Sequence, residues 1–414
     1  MTARSATSVG RGGPAGPAAS AIDRLRMGAL FAAVAGGVLC VAAAMAHPGQ
    51  FYLAYLVAFL FFLALGVGSA AVLMLHHLVG GMWGHVIRRV LEAATRTLPW
   101  MALLFLPILL GMHDLYSWSR PGAVPADAAL AAKAIYLNVP FFVARAAFYF
   151  AVWIGLTVVL LRWSDTQDAA PPSSIEGEPP LGRRFRFLSG PGLALYGLTM
   201  TFAAVDWVMS LDPHWYSTVY GVLFIVGQGL STIAFATLAA TLLLRRPPLD
   251  AAVEPGHLND LGNLMLAFVM LWAYIAYSQL LIIWSGNLEE EIPWYALRLS
   301  GGRQGIALAL IILHFGLPFL LLLHRPIKRN PRAMAAIAAL ILAMRVVDLH
   351  WIVAPAAPDR GAIFYGFEAA ALLAIGGVWV AAFATALRRR PLLPRHRPDG
   401  LPAAAPVAAA AEGR

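Results

Sequence analysis

The chain has 414 residues, of which 60% are hydrophobic and 12% charged, and its mean hydropathy is +0.71. Soluble domains carry about 25% charged residues, so this composition excludes a soluble globular protein and describes a polytopic membrane protein. The net charge of +9 is no sign of a nucleic-acid partner, because the basic residues fall on loops between apolar segments.

In chain order, residues 1–24 are rich in Gly, Ala, Ser and Pro, carry Arg4, Arg11 and Arg24, and are expected to be disordered. Helix 1 is predicted over 25–46. Its end, Ala44-Met45-Ala46, resembles a signal-peptidase site, but about 19 apolar residues exceed a usual signal h-region, and the segment is read as a retained helix. Cys40, the single cysteine, lies inside it, which excludes a disulfide, a CxxCH haem attachment or a four-cysteine cluster within this chain.

Further segments reach the ~20 residues that cross ~30 Å of hydrocarbon. They are predicted over 51–79, 86–112, 138–161, 191–211, 216–244, 258–285, 303–324, 331–353 and 363–387. The fold class is therefore an all-α integral membrane protein with ten transmembrane helices. Helices 2–5 (50–212) and 6–9 (213–353) are expected to form two four-helix bundles flanked by helices 1 and 10, although no strict repeat marks the division. Residues 165–181, rich in Pro, Ser and Glu, read as a cytoplasmic linker. Helix 10 occupies 363–388, and the Ala/Pro-rich tail 389–414 is expected to be disordered.

Orientation follows from arginine and lysine bias. With the N-terminus inside, inner segments hold Arg24 and Arg26, Arg88 and Arg89, Arg162 with Arg183, Arg184 and Arg186, Arg245 and Arg246, the run from Arg325 to Arg332, and Arg388 to Arg397. Outer loops hold only Arg120, Lys133, Arg298, Arg303 and Arg360. Both termini are therefore expected in the cytoplasm.

The stretch DWVMSLDPHWYSTVYG (206–221) then falls at the outer surface. Asp212-Pro213 favours a sharp turn there, since proline disfavours α geometry in the residue before it. Asp212 and His214 belong to this outer-face turn. Trp207, Trp215, Tyr216 and Tyr220 flank it and are expected at headgroup depth.

Charged residues inside the helices sort by depth. The inner set is His76, His77, Glu92, Arg96 and Asp260, with Asn259 and Asn263 beside it. The outer set is Arg145, Asp206, Arg345, Asp348 and Glu368, and Gln228 and His314 sit between. Arg88, Glu92 and Arg96 repeat at i, i+4, and Arg345 and Asp348 at i, i+3, so local ion pairing accounts for these without function. Asp206 and Glu368 have no close sequence partner, which marks them as functional candidates, with Arg145 an available counter-charge. Two ionisable sets near opposite faces suit two half-channels for protons, and the same groups suit a quinone headgroup. The histidines show no pairing suited to bis-histidine haem. No catalytic residue and no metal site is expected.

Four stretches also carry a resemblance: HLNDLGNLMLAFVMLWAYIAYSQLLIIWSGNLEEEIPWYALR (257–298), LMLHHLVGGMWGHVIRRVLEAATRTLPWMALLFLPILLG (73–111), SLDPHWYSTVYG (210–221) and AMRVVDLHWIVAP (343–355). They resemble the F subunit of bacterial alternative complex III, within the NrfD-like or polysulfide-reductase C group. Trp284-Ser285-Gly286-Asn287 is similar to the F form rather than the C form of that stretch. The resemblance implies ten helices and a multi-pass place in the bacterial inner membrane, within a respiratory quinol:cytochrome c oxidoreductase. Its implied partners are an NrfD-like C subunit, an iron–sulfur subunit and haem c subunits. The expected role is proton conduction or energy coupling, with no redox cofactor bound by this chain. A quinone-binding subunit, with the site on Asp206 and Arg145, and a purely structural scaffold are the alternatives.

Overall fold

The computed structural model describes residues 17–169, 180–244, 253–301, 303–356 and 362–394. The expectations for 1–16, 170–179 and 395–414 lie outside these residues, as do Arg245, Arg246 and Arg360. Among the described residues, ten helices are long and apolar enough to cross a membrane. This is a multi-pass membrane protein.

We label the spans α1 (Pro17–Ala46), α2 (Pro48–Val79), α3 (Met82–Leu110), α4 (Val139–Ala169) and α5 (Pro180–Trp207). They continue as α6 (Tyr220–Leu243), α7 (Pro255–Gly286), α8 (Gln304–Leu323), α9 (Pro331–Val353) and α10 (Ala362–Arg388). Residues 17–24, expected to be disordered, are instead the first turns of α1. Pro17 suits a helix's first position, where its missing N–H costs nothing. The alanines that follow are the best helix formers.

Two spans are not simple rods. The predicted helix 86–112 is three stretches, Met82–Thr95, Leu98–Leu104 and Leu106–Leu110. Pro99 and Pro107 stand at the starts of the second and third, where each lacks the N–H that would continue the hydrogen-bond ladder. Met82–Thr95 is buried along almost its whole length and packs on α2, α6, α7 and α10. In α8, Leu310–Gly316 is π-helical. Pro318 has no N–H to offer the carbonyl of His314 four residues back, and a widened turn accommodates that gap.

The central column is α2, buried over nearly all its length and in contact with α1, α3, α5, α6, α9 and α10. On one side α2, α3, α4 and α5 touch in a ring; on the other α6, α7, α8 and α9 do the same. The most extensive interface joins α1 to α10. A Cβ at Gly36 would fall 2.4 Å from Ala374 N, and one at Gly377 would fall 2.4 Å from Ala33 N. Backbone meets backbone there, the small-residue packing that membrane helices use where lipid gives no hydrophobic drive.

Three of the four aromatics expected to flank the 206–221 turn do not face outward. Trp207, Trp215 and Tyr220 are buried, and only Tyr216, 52% exposed, faces outward. Trp207 packs among Phe59, Phe105, Phe150 and Trp153, and Trp215 stacks on Trp294 at 4.9 Å. Their neighbours in sequence marked a membrane surface, but the rings turn inward to fill the junction between helices.

Candidate functional site

The outer set resolves into three separate pairings. Arg145, in the second turn of α4, meets Asp206, in the last turn of α5. Arg145 Nε donates to Asp206 Oδ2 at 2.8 Å and the terminal nitrogen to Oδ1 at 2.9 Å. Tyr149, one turn beyond Arg145, donates its hydroxyl to Oδ2 at 2.7 Å. Arg145 also donates to the Tyr136 carbonyl at 3.0 Å and lies over the Tyr136 and Phe141 rings. Asp206 is fully buried, and Arg145, the available counter-charge, holds it in a saturated bidentate ion pair. Tyr149 went unnoticed in the sequence, where a tyrosine among aromatics on an apolar helix carries no mark.

The second pairing lies within α9. Arg345 and Asp348 form the expected i, i+3 ion pair, and both are buried. Arg345 Nε donates to Ser231 Oγ on α6 at 3.3 Å. Gly227, one turn earlier on α6, makes room for the guanidinium: a Cβ there would lie 2.2 Å from an Arg345 terminal nitrogen. Asp348 Oδ2 also accepts from Trp272 Nε1 on α7 at 3.3 Å. Trp272 in turn meets His314 edge-on, with ring centroids 4.4 Å apart.

His314 is fully buried, on the π-helical turn of α8, and neither ring nitrogen has a hydrogen-bond partner among the described residues. Buried polar atoms are almost always paired, and an orphan in a native site calls for a reason. Asp348 also lines a cavity of about 580 Å³ between α7, α8 and α9, whose walls include Tyr274, Trp294, Phe315 and Trp351. Gln279, another wall residue, is buried, and its Oε1 has no partner among the described residues.

The third pairing joins α9 to α10. His350 Nδ1 and Glu368 Oε2 lie 2.9 Å apart, and Glu368 Oε1 has no partner among the described residues. Glu368, expected to be unpaired, is held by a histidine that sequence spacing did not single out.

The inner set is more dispersed. Glu92 is buried and accepts from Arg88 at 2.9 Å, Arg89 at 2.6 Å, Ser164 at 2.7 Å and Arg390 at 3.2 Å. Arg89 also binds Asp168, and Arg390 pairs with Asp165. This knot fastens the inner ends of α3, α4 and the residues beyond α10. Burial lowers the Arg390 guanidinium to about 10, against the attraction of Glu92 and with repulsion from Arg96 and Arg89.

Arg96, expected to pair with Glu92, sits 3.6 Å from Asp165 instead. The helix breaks at Arg96, which turns its side chain off the Glu92 face. His76 is buried against Trp83, and His77 stacks on Phe185 at 4.3 Å. Asp260 is exposed. At mid-depth, Gln228 is buried, accepts from Tyr196 at 2.8 Å and faces Met200 Sδ at 3.0 Å.

At the outer turn, Asp212 is part-buried, and His214 pairs with Asp127 at 2.7 Å on the exposed surface. Against a desolvation cost, the hydrogen bonds from His214 and from the Ala129 and Leu130 N–H groups hold Asp127 below the usual carboxylate range. Among the described residues, no group of His, Cys, Asp or Glu is gathered to hold a metal ion. Comparison with models of known protein families finds no match to this chain, and comparison with curated proteins finds none either.

Proposed function

We propose that this chain is the proton-handling membrane subunit of a respiratory quinol:electron-acceptor oxidoreductase, binding no redox cofactor itself. Membership of such a complex rests on the resemblance of 73–111, 210–221, 257–298 and 343–355 to the alternative complex III subunit. The partners proposed with it are an NrfD-like C subunit, an iron–sulfur subunit and haem c subunits. The proton-handling role rests on one observation: His314, buried and unpartnered on a π-helical turn, packs against the tryptophan that hydrogen-bonds Asp348.

The chemistry follows from these contacts. A neutral imidazole accepts a proton at one nitrogen and releases it at the other. Arg345 is the ion-pair partner of Asp348, and a proton reaching Asp348 would free the guanidinium. Asp348 borders an open cavity, whereas Asp206 is enclosed. The coupling element is therefore assigned to Arg345, Asp348, Trp272 and His314, and Asp206 is removed from it. In the intact complex, His314→Phe should abolish proton translocation while quinol oxidation continues at its normal rate. Normal translocation in that variant would make His314 a packing residue and end this reading.

The cavity itself favours a second reading. Its walls are apolar and aromatic with a few polar groups, the usual make-up of a small-molecule pocket. A quinone-binding subunit would use it, with Gln279 and Asp348 facing the ring. Photolabelling of Gln279 or Trp351 by a quinone analogue would favour that reading over proton transfer alone.

The proposed placement is the bacterial inner membrane, with both termini cytoplasmic and the helices in two four-helix groups, α2–α5 and α6–α9. The arginine bias and the two rings of helix contacts support it. Accessibility of cysteines introduced at Arg120 and Arg332 to an impermeant reagent tests the orientation, with only the first expected to react from outside.

A further inference from the structure

A cleft of about 710 Å³ opens between α1, α3, α4 and α10. Arg26, Arg96 and Arg389, from three different helices, line it together with Trp100, Val158 and Ala382. The polar and apolar residues are segregated along its length. On α1, Leu30 lies about one turn beyond Arg26 into the membrane. On α3, Trp100 follows Arg96 in the same way, and on α10 Ala382 and Val378 precede Arg389. The cleft is therefore basic at the end where α1 begins and α10 finishes, and greasy deeper in.

The acids nearby are already engaged. Asp23 is held by Arg388 at 3.5 Å, and Asp165 is shared between Arg390 and Arg96. Neither Arg26 nor Arg389 makes an ion pair among the described residues. Three guanidiniums face one space; Arg96 shares Asp165 with Arg390, which leaves the charges of Arg26 and Arg389 without an ion-pair partner among the described residues. Trp100, 50% exposed, offers its ring at the mouth.

We infer that this cleft binds an anionic phospholipid of the surrounding bilayer, its phosphate on Arg26, Arg96 and Arg389 and an acyl chain along Trp100, Val158 and Ala382. Guanidinium forks match phosphate oxygens, and basic pockets between membrane helices take anionic headgroups. Free phosphate would gain nothing from the apolar wall. A choline lipid would bring a second cation against the arginines.

The test is native mass spectrometry of the full-length protein in detergent, titrated with dioleoyl phosphatidylglycerol and with dioleoyl phosphatidylcholine. The glycerol lipid should be retained about tenfold more tightly, the scale set by charges of about 1 kcal/mol each near a membrane surface. Arg26→Gln with Arg389→Gln should erase that preference, whereas Arg325→Gln with Arg332→Gln, two exposed arginines elsewhere on the basic side, should leave it intact. Ala382→Phe keeps every charge but fills the apolar wall, and should weaken retention of the glycerol lipid.

Equal retention of both lipids, or equal loss from the control pair, would overturn the proposal. So would displacement of the lipid by inorganic phosphate, which would make this a small-anion site. If the double variant does not yield folded protein, Arg389→Gln alone, at an exposed position, and Ala382→Phe decide the matter.

Discussion

In the first half of the membrane region, Arg145 and Asp206 come from different helices and meet through hydrogen bonds of 2.8 and 2.9 Å. In the second half, Arg345 and Asp348 come from one helix, a turn apart. The first pair ties α4 to α5 and is saturated by Tyr149 and the Tyr136 carbonyl. The second reaches other helices only through single, longer hydrogen bonds of 3.3 Å, to Ser231 on α6 and from Trp272 on α7. It sits beside a cavity and beside a histidine with no hydrogen-bond partner among the described residues. A saturated cross-helix pair is a fastener, because removing either member strands a buried charge. An intrahelical pair beside unsatisfied groups has polar capacity left over, and that is what chemistry requires.

The largest effect that sharpens this contrast is Asp206→Ala. It strands the Arg145 guanidinium and should cost about 3–5 kcal/mol, read as a lowered unfolding midpoint in detergent. Arg145→Met with Asp206→Leu should recover most of the loss, since a well-packed apolar replacement is often neutral. If the single variant stays fully stable, the fastener reading fails.

Next is Tyr149→Phe, which removes one hydrogen bond to a carboxylate and should cost about 1.5–3 kcal/mol in the same assay. Gly227→Ala should be of similar size, about 1–3 kcal/mol, because its methyl group overpacks the Arg345 pocket. The comparison predicts a further difference between them: Tyr149→Phe leaves proton translocation intact, and Gly227→Ala impairs it by moving Arg345. Equal translocation in both variants would erase the functional distinction between the halves.

His314→Phe should be the opposite of Asp206→Ala. It replaces an unpartnered ring with an apolar one and should change stability by less than about 1 kcal/mol, or raise it. A large loss would show a hidden structural bond.

The smallest effect is at the exposed pair of Asp127 and His214. Asp127 titrates below its unfolded value in the folded protein, so its contribution is complete above the unfolded pKa of about 3.9. It is lost as pH falls through the lower folded value. The stability gap between the wild-type protein and Asp127→Asn should hold steady above about pH 4 and close below it.

Much of this was legible in the residues. The count of ten spans, the Arg345–Asp348 pair and the span 331–353 follow from hydropathy, helical spacing and proline. These are local properties, fixed within about one helix length by the demand that backbone polar groups in oil bond internally. Arg145 was visible as a counter-charge available to Asp206 or Glu368, but that Arg145 and Asp206 would be the two to meet was not. They stand 61 residues apart, and no local rule ranks Arg145 above Arg345 as the partner.

The same limit explains His350 on Glu368, Arg390 on Glu92, and the inward turn of Trp207 and Trp215. Chain chemistry by itself determined that this protein lives in a membrane, that it carries ten membrane-length helices, and which buried charges needed an answer. Tertiary structure alone decided which answer each received. Hydropathy and backbone bonding act between near neighbours along the chain, whereas neutralising a buried charge depends on which helix comes to lie alongside it.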